Sequence, residues 1–594
     1  MDLSIGTLRR RYLEGGLTPV DLVESLWPKL SDEDAHCVWI SRLTKQQLTQ
    51  HAQRLLERDA RSLPLYGIPF AIKDNIDLAG MPTTAACPAF AYTPAHSATV
   101  VQRLIDAGAI PLGKTNLDQF ATGLVGARTP YGATRNSFDP RYVSGGSSGG
   151  SAVAVATGLA SFSLGTDTAG SGRVPAAFNN LIGHKPTLGL LSTHGVVPAC
   201  RSLDAVSIFA LTAEDAQRVL AVAAAFDAHD PFSRPAQPFG SDFGAGFRFG
   251  VPRAADLQFF GDGDAQRLFE QSVRRMQALG GVAEEVDLSP FMEVARLLYE
   301  GPWVGERHAA IREFFDAHED DVFPVTRQII GGSRRWSASD AYRALYRLRA
   351  LQRETAPVWD RIDVLLTPTA GTVNRIDEVE AEPVKLNANL GTYTNFVNLM
   401  DLSATAVPGG FRDDGMPLGV TLVAPAHRDV PLLRLAARMQ RAAVDSMGAT
   451  GIGLPPEEAV DVAPLHSGLV RVAVCGAHMS GLPLNPQLTS RGARRVATTR
   501  SAPMYRFYAL PGGPPHRPGM VRAADGAAIE LEVWELPAEH FGSFVAGIPA
   551  PLGIGTVELA DGSRVQGFVC EAYATADAED ITQLGSWRAY LARG

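Results

Sequence analysis

The spacing of apolar side chains alternates along the chain between the helical period and short continuous runs. After Thr18 and Pro19, which suit the N-cap and the first turn of a helix, apolar residues recur at helical spacing. The run LYGIPFAIK at residues 65–73 predicts a turn that leads into a short buried strand. A second helical stretch ends at Gly108 and precedes another apolar run. Helix and strand patterns alternate in this way to about residue 435, which predicts a layered α/β fold.

This pattern breaks at residues 446–468, which lack periodicity and are rich in glycine and proline. We expect this segment to be a linker. Beyond it, stretches such as IELEVWEL, GIGTVELADG and SRVQGFVCEAY alternate apolar and polar residues, with turn residues between them. The sequence therefore predicts a large α/β domain at residues 1–445, the linker, and a small β-rich α+β domain at residues 469–594.

Composition and charge narrow the class of protein. Of the 594 residues, 45% are hydrophobic and 20% are charged, which is typical of a globular protein and excludes disorder over most of the chain. The net charge of -9 disfavours binding to nucleic acid, because that requires a basic surface. No apolar run is long enough to span a membrane, and the N-terminus lacks the apolar core of a signal peptide. We therefore expect a cytoplasmic protein with no membrane partner.

Two patterns bear on cofactors, and neither predicts one. The five cysteines are widely spaced and form no CxxC pair, so the sequence indicates no metal site and no disulfide framework. Residues 108–115, GAIPLGKT, match the P-loop pattern letter for letter. A P-loop follows a strand and opens a helix, whereas here a helix precedes Gly108 and the interior of the motif is a strand-like apolar run. Pro111 also removes one of the backbone donors that phosphate binding needs.

A glycine–serine loop at residues 145–151 has the sequence GGSSGGS. It contains GxSxG, the nucleophile-elbow pattern of α/β-hydrolases, which would make Ser147 the nucleophile. That interpretation requires an apolar strand before the serine, and the preceding residues are not a clean strand. A flexible turn is the alternative. Since the following small-residue stretch, AVAVATGLA, predicts a helix, backbone donors gather at this loop.

A second small-residue loop, GTDTAGSGR at residues 165–173, surrounds Ser171. Its successive backbone N–H groups are able to form a nest for an oxyanion. The alternative is an ordinary turn that a pair between Asp167 and Arg173 stabilises. The loop by itself does not decide between the two interpretations.

A serine becomes a nucleophile only when a base removes its proton. No histidine is close in sequence to either serine loop, and the nearest to Ser171 are His184 and His194. Lys73 ends the predicted strand at residues 65–73, where a lysine is costly to bury unless its ammonium is paired or loses its proton. A neutral lysine that acts through a second serine hydroxyl is an alternative base.

Taken together, these segments resemble the amidase signature family of Ser–Ser–Lys amide hydrolases. The matching stretches, which lie in the family's order and spacing over roughly residues 20–440, are GIPFAIKDNID, AGAIPLGKTNLDQFA, GGSSGGSAVAVATG, GTDTAGSGRVPA, DVLLTPT and GMPLGVTLVAP. The resemblance implies an amidase-signature fold, in which helices cover a mixed central sheet. It also implies that Lys73 is the base, that Ser147 is a bridging serine after a cis peptide bond, and that Ser171 is the nucleophile. The implied oxyanion hole consists of the backbone N–H groups of Thr168, Ala169, Gly170 and Ser171.

Two further features resemble the allophanate hydrolases within that family, which take apart carboxylated urea. One is Ala169, where many members have glycine, and the other is the segment RLLYEGPWVGER at residues 296–307 together with the appended C-terminal domain. The resemblance implies that Arg307 pairs with the substrate carboxylate and that Tyr299 donates a hydrogen bond to it. The alternative is that Arg307 is a solvated helix residue and Tyr299 lies at a core edge. We expect the backbone near Thr122 and Gly123 to line the same pocket.

The C-terminal domain begins LVRVAVCGAHMSGLPLNPQL, which resembles the γ-glutamylcyclotransferase-like fold. The first turn of that family reads Y-G-S, whereas this chain has Cys475–Gly476–Ala477–His478, which does not favour cyclotransferase chemistry. Among allophanate hydrolases this domain is linked to decarboxylation of N-carboxycarbamate. His478 is the candidate acid/base, because histidine titrates near neutral pH. A structural or regulatory domain with a buried histidine is the alternative.

The resemblance implies an enzyme of urea degradation that hydrolyses allophanate through a Ser171 acyl-enzyme and needs no cofactor. The products would be ammonia and N-carboxycarbamate. A homodimer and a functional partnership with a urea carboxylase are the expected associations. Three other functions remain open: an amidotransferase subunit that supplies ammonia to mischarged tRNA, an α/β-hydrolase with Ser147 as nucleophile, and a non-catalytic binding protein on the same scaffold.

Overall fold

The computed structural model describes residues 1–237, 243–244, 246–460 and 468–593. The chain divides into a large unit, Met1–Ala236 with Phe243–Val462, and a small unit, Gln237–Asp242 with Ala463–Gly594. The large unit is mixed α/β and the small one is rich in strands, which confirms the predicted fold class. Within the described part of the chain, no helix combines the length and the apolar character that crossing a bilayer requires.

A mixed sheet forms the centre of the large unit. Its strands are β1 (Trp39–Arg42), β2 (Pro69–Lys73), β3 (Ile110–Thr115), β4 (Phe162–Asp167), β5 (Ile182–Lys185), β6 (Ala205–Ala210), β7 (Phe247–Pro252), β8 (Gly281–Val286), β9 (Val364–Pro368), β10 (Leu402–Phe411) and β11 (Pro417–Pro425). Over the described residues their order is β1-β3-β2-β4-β6-β5-β10-β11-β9-β7-β8. The neighbours β3, β2 and β4 run parallel, as do β9, β7 and β8, and the other pairs are antiparallel.

Helices cover this sheet. They are α1 (Ile5–Leu13), α2 (Pro19–Ser31), α3 (Lys45–Leu55), α4 (Thr99–Asp106), α5 (Gly149–Ala156), α6 (Val174–Phe178), α7 (Ala213–Ala223), α8 (Gly263–Ala278), α9 (Ser289–Glu300), α10 (Val304–Ala310), α11 (Arg312–Ala317), α12 (Pro324–Gly331), α13 (Ala338–Thr355), α14 (Val358–Arg361), α15 (Ile376–Ala381), α16 (Lys385–Leu390), α17 (Phe396–Leu399) and α18 (Asp429–Ala443). Every residue of β2, β3 and β4 is buried, so both faces of this part of the sheet are covered.

Local sequence signals account for several of these boundaries. Thr18 accepts a hydrogen bond from the backbone of Asp21 and Pro19 occupies the first turn, which confirms the predicted start of α2. The second predicted helix is α4, and the chain leaves it through Gly108, whose φ is +97°. A Cβ at this position would also lie 2.9 Å from the Tyr66 Cα, so glycine is needed to turn the chain into β3.

The parallel strands β3, β2 and β4 determine where chemistry can occur. Their carboxyl ends meet at one edge of the sheet, since Lys73 at the end of β2 pairs with Thr115 at the end of β3. On the other side of β2, Ile72 pairs with Leu164 in β4, which ends at Asp167. The loops that follow these three strands therefore converge, as loops do at the carboxyl edge of parallel sheets.

The first part of the predicted linker packs against the large unit. Residues 446–453 form a small hairpin of β12 (Ser446–Met447) and β13 (Ile452–Gly453). The Asn180 side chain donates to the carbonyls of Ser446 and Gly448, and Glu458 pairs with arginines of the large unit. Residues 461–467 of the predicted linker lie outside the described residues. Absence of periodicity is common to linkers and to turn-rich extensions, so the pattern alone did not separate them.

The small unit consists of two sheets and short helices. Its strands are β14 (Leu469–Val474), β15 (Arg494–Arg500), β16 (Tyr505–Ala509), β17 (Pro518–Arg522), β18 (Glu530–Pro537), β19 (Leu552–Glu558), β20 (Arg564–Cys570) and β21 (Glu579–Asp580), and its helices are α19 (Pro486–Thr489), α20 (Ala538–Ala546) and α21 (Trp587–Leu591). In the described part of this unit, one sheet has the order β15-β18-β14-β20-β19 and the other β17-β16-β21. A separate apolar core that includes Phe507, Val533 and Trp587 holds them together.

Candidate active site

Three of the predicted residues form one hydrogen-bonded chain at the carboxyl edge of the sheet. The Lys73 Nζ lies 2.7 Å from the Ser147 Oγ, which in turn lies 3.0 Å from the Ser171 Oγ. Lys73 also donates to the Thr166 hydroxyl at 2.7 Å. The Gly146–Ser147 peptide bond is cis, as the family resemblance implies. The contacts follow the order that proton transfer from Ser171 to Lys73 requires.

Burial decides the charge state of Lys73. Its side chain has no solvent exposure, and this burial lowers the pKa of Lys73 to about 7. The carboxylates of Asp118, Asp204 and Asp167 act in the opposite direction on that pKa, while the Arg307 guanidinium lowers it further. A pKa near 7 leaves a large fraction of Lys73 neutral at neutral pH, as a general base needs.

The turn around Ser171 is held by a buried carboxylate. The Asp167 Oδ1 accepts the N–H of Gly170 at 2.8 Å, and the Oδ2 accepts the N–H of Gly172 at 3.0 Å. The Arg173 guanidinium pairs with both oxygens of Asp167 at 2.9 and 3.0 Å. The Asp167–Arg173 pair that was the alternative to an oxyanion nest is therefore present, and it shapes the turn that carries Ser171.

Of the four predicted oxyanion donors, one is occupied by Asp167 and three are free of partners among the described residues. The N–H of Gly170 already donates to Asp167, so it is not free to bind a substrate oxygen. The N–H groups of Thr168, Ala169 and Ser171 make no hydrogen bond to any residue in the described ranges. Three backbone donors in one turn therefore remain for a developing negative charge.

The other predicted residues lie beside this turn. The Arg307 Nη1 donates to the Thr122 Oγ1 at 3.0 Å, and its Nη2 donates to the Tyr299 hydroxyl at 3.0 Å. The Gly123 carbonyl accepts a hydrogen bond from the Ser171 Oγ at 3.5 Å. Arg307 is only 2% exposed, so the alternative of a solvated helix residue is wrong. Thr122 and Gly123 thus connect the guanidinium to the nucleophile candidate.

Arg307 is a buried cation: burial lowers its pKa, and Tyr299, Cys200 and the carboxylates of Asp204 and Glu306 raise it by more. Throughout the part of the chain that the structure describes, it forms no ion pair, and its Nε has no hydrogen-bond partner. Its partners are neutral oxygens and the Tyr299 ring, whose centroid lies 5.1 Å from the guanidinium carbon. An unpaired buried charge costs several kcal/mol, whereas a carboxylate ligand would offset that cost. Burial raises the pKa of Tyr299, so its hydroxyl keeps the proton with which it donates.

A cavity of about 550 Å³ adjoins this group. Leu124, Arg128 and Tyr299 form part of its wall, together with residues of α9, α12 and α16. Leu124 follows Gly123 directly, so the cavity reaches the loop that contacts Ser171. A small polar substrate therefore has room beside Tyr299, the hydrogen-bond partner of Arg307.

In the small unit, the predicted His478 lines a pocket of about 40 Å³. Its ring stacks on Phe568 at a centroid distance of 4.9 Å, and its Nε2 lies 3.0 Å from the Gln487 Oε1. Burial lowers the pKa of His478, and the nearby Arg517 lowers it further. Arg517 also lines the pocket, and its buried Nε has no hydrogen-bond partner among the described residues. The pocket thus pairs a neutral imidazole with a guanidinium.

The P-loop-like motif does not form a phosphate loop. Residues 110–115 of the motif are strand β3, and Lys114 is fully buried, with its ammonium 3.1 Å from a carboxylate oxygen of Asp74. Lys114 also donates to the Thr83 hydroxyl at 2.8 Å. Across the described ranges, no three His, Cys, Asp or Glu side chains group so that they could hold a metal ion.

The sequence analysis did not predict three residues of the site. Thr166 contacts Lys73, Asp204 accepts a hydrogen bond from the Thr168 hydroxyl at 2.5 Å, and Asp118 lies under the loop at residues 122–128. Thr166 and Asp118 belong to the quoted motifs GTDTAGSGRVPA and GKTNLDQFA, so membership in a motif could have indicated them. Asp204 lies outside every motif, and only the fold reveals it.

Comparison with known proteins shows which families the two parts of the chain match. The family model described as Amidase matches residues 21–433, and the one described as Allophanate hydrolase C-terminal domain matches residues 470–592. The solved structure of Kluyveromyces lactis allophanate hydrolase is 41% identical, superposes with a TM-score of 0.81, and is matched over 98% of each chain.

Two relatives show how much of the chain is shared. Urea amidolyase of Saccharomyces cerevisiae is 44% identical over 588 residues, which is 96% of this chain and 32% of that protein. The chain thus spans about a third of the length of the urea amidolyases that it matches. A glutamyl-tRNA(Gln) amidotransferase subunit of Symbiobacterium thermophilum is 35% identical over 74% of this chain and 96% of its own length.

Proposed function

Since the chain belongs to the amidase family, we propose that it hydrolyses the amide of allophanate through an acyl-enzyme on Ser171. The observation that carries the choice of substrate is the buried, unpaired Arg307 guanidinium, one hydrogen bond away from the loop that contacts Ser171. The match of residues 470–592 to the allophanate hydrolase C-terminal domain supports the same substrate. The amidotransferase relative matches only 74% of the chain, which favours allophanate over the role of a tRNA amidotransferase subunit.

The contacts around Lys73 suggest the order of proton transfer. Neutral Lys73 takes the proton of the Ser147 hydroxyl, which takes the proton of Ser171 as its oxygen attacks the amide carbon. The oxyanion is held by the free N–H groups of Thr168, Ala169 and Ser171, and loss of one such donor typically costs about 3–4 kcal/mol. The relay returns a proton to the amide nitrogen, ammonia leaves, and water then cleaves the acyl-enzyme.

The substrate carboxylate is the part that Arg307 would recognise. A guanidinium offers two parallel N–H donors that match the two carboxylate oxygens, and the Tyr299 hydroxyl adds a third donor. This pairing also relieves the cost of a buried unpaired charge. Substrate binding and orientation of the amide toward Ser171 thus depend on the same contact.

A comparison of substrates tests this assignment. We expect kcat/KM for allophanate to exceed that for urea and simple neutral amides by at least about 100-fold, because only allophanate completes the ion pair with Arg307. Malonamate, which carries both an amide and a carboxylate, should be an intermediate substrate. Ammonia release at a fixed enzyme concentration measures each rate. Equal kcat/KM for allophanate and a neutral amide would refute the role of Arg307.

The pocket around His478 supports a second step in the small unit. We propose that it takes N-carboxycarbamate, from which the C–N bond to one carboxylate breaks, CO₂ leaves and the nitrogen gains a proton. Arg517 would bind a carboxylate, and neutral His478 would relay a proton from water to the nitrogen, since a neutral imidazole has one N–H and one accepting nitrogen.

Replacement of His478 by alanine tests this second step. We expect the first ammonia to appear at the normal rate while CO₂ lags and a carboxylated product accumulates, as measured by coupled ammonia and CO₂ assays. His540→Ala is the matched control, because His540 is exposed in the same unit and does not line the pocket. Unchanged CO₂ release in His478→Ala would leave the small unit with a structural role.

The associations predicted from the sequence belong to the same proposal. The matched urea amidolyases are about three times as long as this chain and act on urea by their name, so the rest of each protein has room for a step that makes allophanate. We propose a functional partnership of this chain with a urea carboxylase. A homodimer in the cytoplasm is the proposed state of the chain.

A further inference from the structure

A single buried carboxylate, that of Asp118, organises the loop between β3 and the glycine–serine segment. Its Oδ2 accepts the backbone N–H groups of Val125 and Gly126 at 3.1 and 3.0 Å. Its Oδ1 accepts the N–H of Arg128 at 2.9 Å. Asp118 has no solvent exposure, so these three charge-assisted bonds are not weakened by water. Asp118 thus accepts three of the backbone N–H groups in residues 122–128, and Asn387 accepts that of Leu124.

Asp118 is also tied to the relay through its backbone. Its own N–H donates to the Ser147 carbonyl at 3.1 Å, directly after the cis peptide bond. The packing here is so close that only glycine fits at two neighbouring positions. A Cβ on Gly146 would lie 2.1 Å from the Asp118 Oδ2, and a Cβ on Gly123 would lie 2.5 Å from it.

We propose that Asp118 is a positioning residue of the hydrolytic site, which aligns Ser147 with the loop that carries Thr122 and Gly123. The inference rests on the proposed amide hydrolysis. The Asp118 carboxylate holds the loop that contains Gly123, whose carbonyl accepts from the Ser171 hydroxyl. The Asp118 N–H holds the carbonyl of Ser147, whose hydroxyl is the other neighbour of Ser171. One residue thus bonds to both segments that contact the Ser171 hydroxyl.

The charge of Asp118 acts on the pKa of Lys73, an effect that packing alone would not produce. The charged groups that act on Lys73 are Asp118, Asp204, Asp167 and Arg307, and Asp118 has the largest effect of these. A nearby anion favours the protonated amine, so Asp118 raises the pKa of Lys73 against the effect of burial. Removal of that anion should lower the pKa of Lys73 below about 7.

The test is Asp118→Asn, with kcat and KM for allophanate measured across pH. In the unmodified enzyme, kcat/KM should fall as the pH drops through about 7, because protonated Lys73 cannot accept a proton. This fall is the acidic limb of the plot of kcat/KM against pH. In Asp118→Asn the acidic limb should shift to lower pH. The amide NH₂ cannot accept a backbone N–H, so the loop should also shift, with kcat lower by about 100-fold and KM raised.

Two further variants separate position from charge. Asp118→Glu keeps the anion but has no room for an added methylene, so its kcat should fall while the acidic limb stays near pH 7. Asp429→Asn is the matched control, since Asp429 is a buried carboxylate that accepts the N–H and hydroxyl of Thr187 and is not among the charges that act on Lys73. It should lower the melting temperature and leave the acidic limb unchanged.

The outcomes are distinct from those of the proposed function. Normal kcat, KM and acidic limb in folded Asp118→Asn, with Ser171→Ala inactive, would overturn the inference alone. Full activity in Ser171→Ala would overturn the proposed hydrolysis itself. If Asp118→Asn does not fold, as melting curves will show, Asp118→Glu decides: a normal kcat refutes the positioning role and a reduced kcat with the limb near pH 7 supports it.

Discussion

Ser171→Ala should abolish hydrolysis of allophanate, with a loss in kcat on the order of 10⁵–10⁶-fold. The Ser171 oxygen is the last hydroxyl of the chain that begins at Lys73, and it lies in the turn with three free backbone donors. Without it, no acyl-enzyme forms, and only binding and the oxyanion donors remain. Lys73→Ala should cost nearly as much, because members of one relay act as a unit.

The matched control for Ser171→Ala is Ser151→Ala. Ser151 is also a buried serine, and its hydroxyl bonds to Thr115 and to the Leu164 carbonyl rather than to the relay. Its replacement should lower stability by about 1–3 kcal/mol and leave kcat nearly unchanged. Near-normal turnover by Ser171→Ala would contradict the mechanism. Mass spectrometry of the trapped acyl-enzyme gives a second criterion, since the α/β-hydrolase alternative predicts the acyl group on Ser147.

Arg307→Gln should lower kcat/KM for allophanate by about 100- to 1,000-fold, the usual cost of removing one partner of a buried ion pair. Glutamine can still reach Thr122 or Tyr299 but carries no charge for the substrate carboxylate. The loss should therefore be selective at a pH well above 7, where hydrolysis of a neutral amide should change little; near pH 7 the missing guanidinium also raises the pKa of Lys73 and slows both substrates. Steady-state rates with allophanate and a neutral amide, measured side by side, give the ratio.

Arg312→Gln serves as the control for this variant. Arg312 lies on α11, close in sequence, but its side chain is mostly exposed, and its one ion pair among the described residues is with Asp316. Exposed pairs contribute little, so its replacement should leave both rates unchanged. An equal loss for allophanate and the neutral amide in Arg307→Gln would indicate a general structural role for Arg307 instead of carboxylate recognition.

Much of the large unit follows from local sequence. The cap at Thr18 and the turn at Gly108 depend on contacts between near neighbours or on the conformational range of glycine. The apolar run that ends at Lys73 is long enough to be recognised as a buried strand. The character of residues 446–460 was not readable in the same way, because their partners, such as Asn180, lie far away in sequence.

In the candidate site, too, some features follow from the sequence and others only from the folded structure. The motifs with Lys73, Ser147 and Ser171 indicate the candidate groups of the relay, since a buried lysine and two serine loops are the parts that such a relay needs. No motif predicts that the Gly170 N–H is already taken by Asp167, because that depends on the side-chain orientation in the folded turn. Nor does any sequence pattern show that the Asp118 carboxylate accepts hydrogen bonds from the backbone of residues 125–128.

The sequence by itself determined the fold class and the two kinds of unit and indicated candidate residues for acyl transfer, because those depend on periodicity and on chemical type. Only the tertiary structure decided that burial lowers the pKa of Lys73 to about 7 and that Arg307 is buried with no carboxylate paired to it among the described residues. Burial and unpaired charge arise when segments far apart in sequence close around one another, and the free energy of a charge depends on that enclosure rather than on its neighbours along the chain.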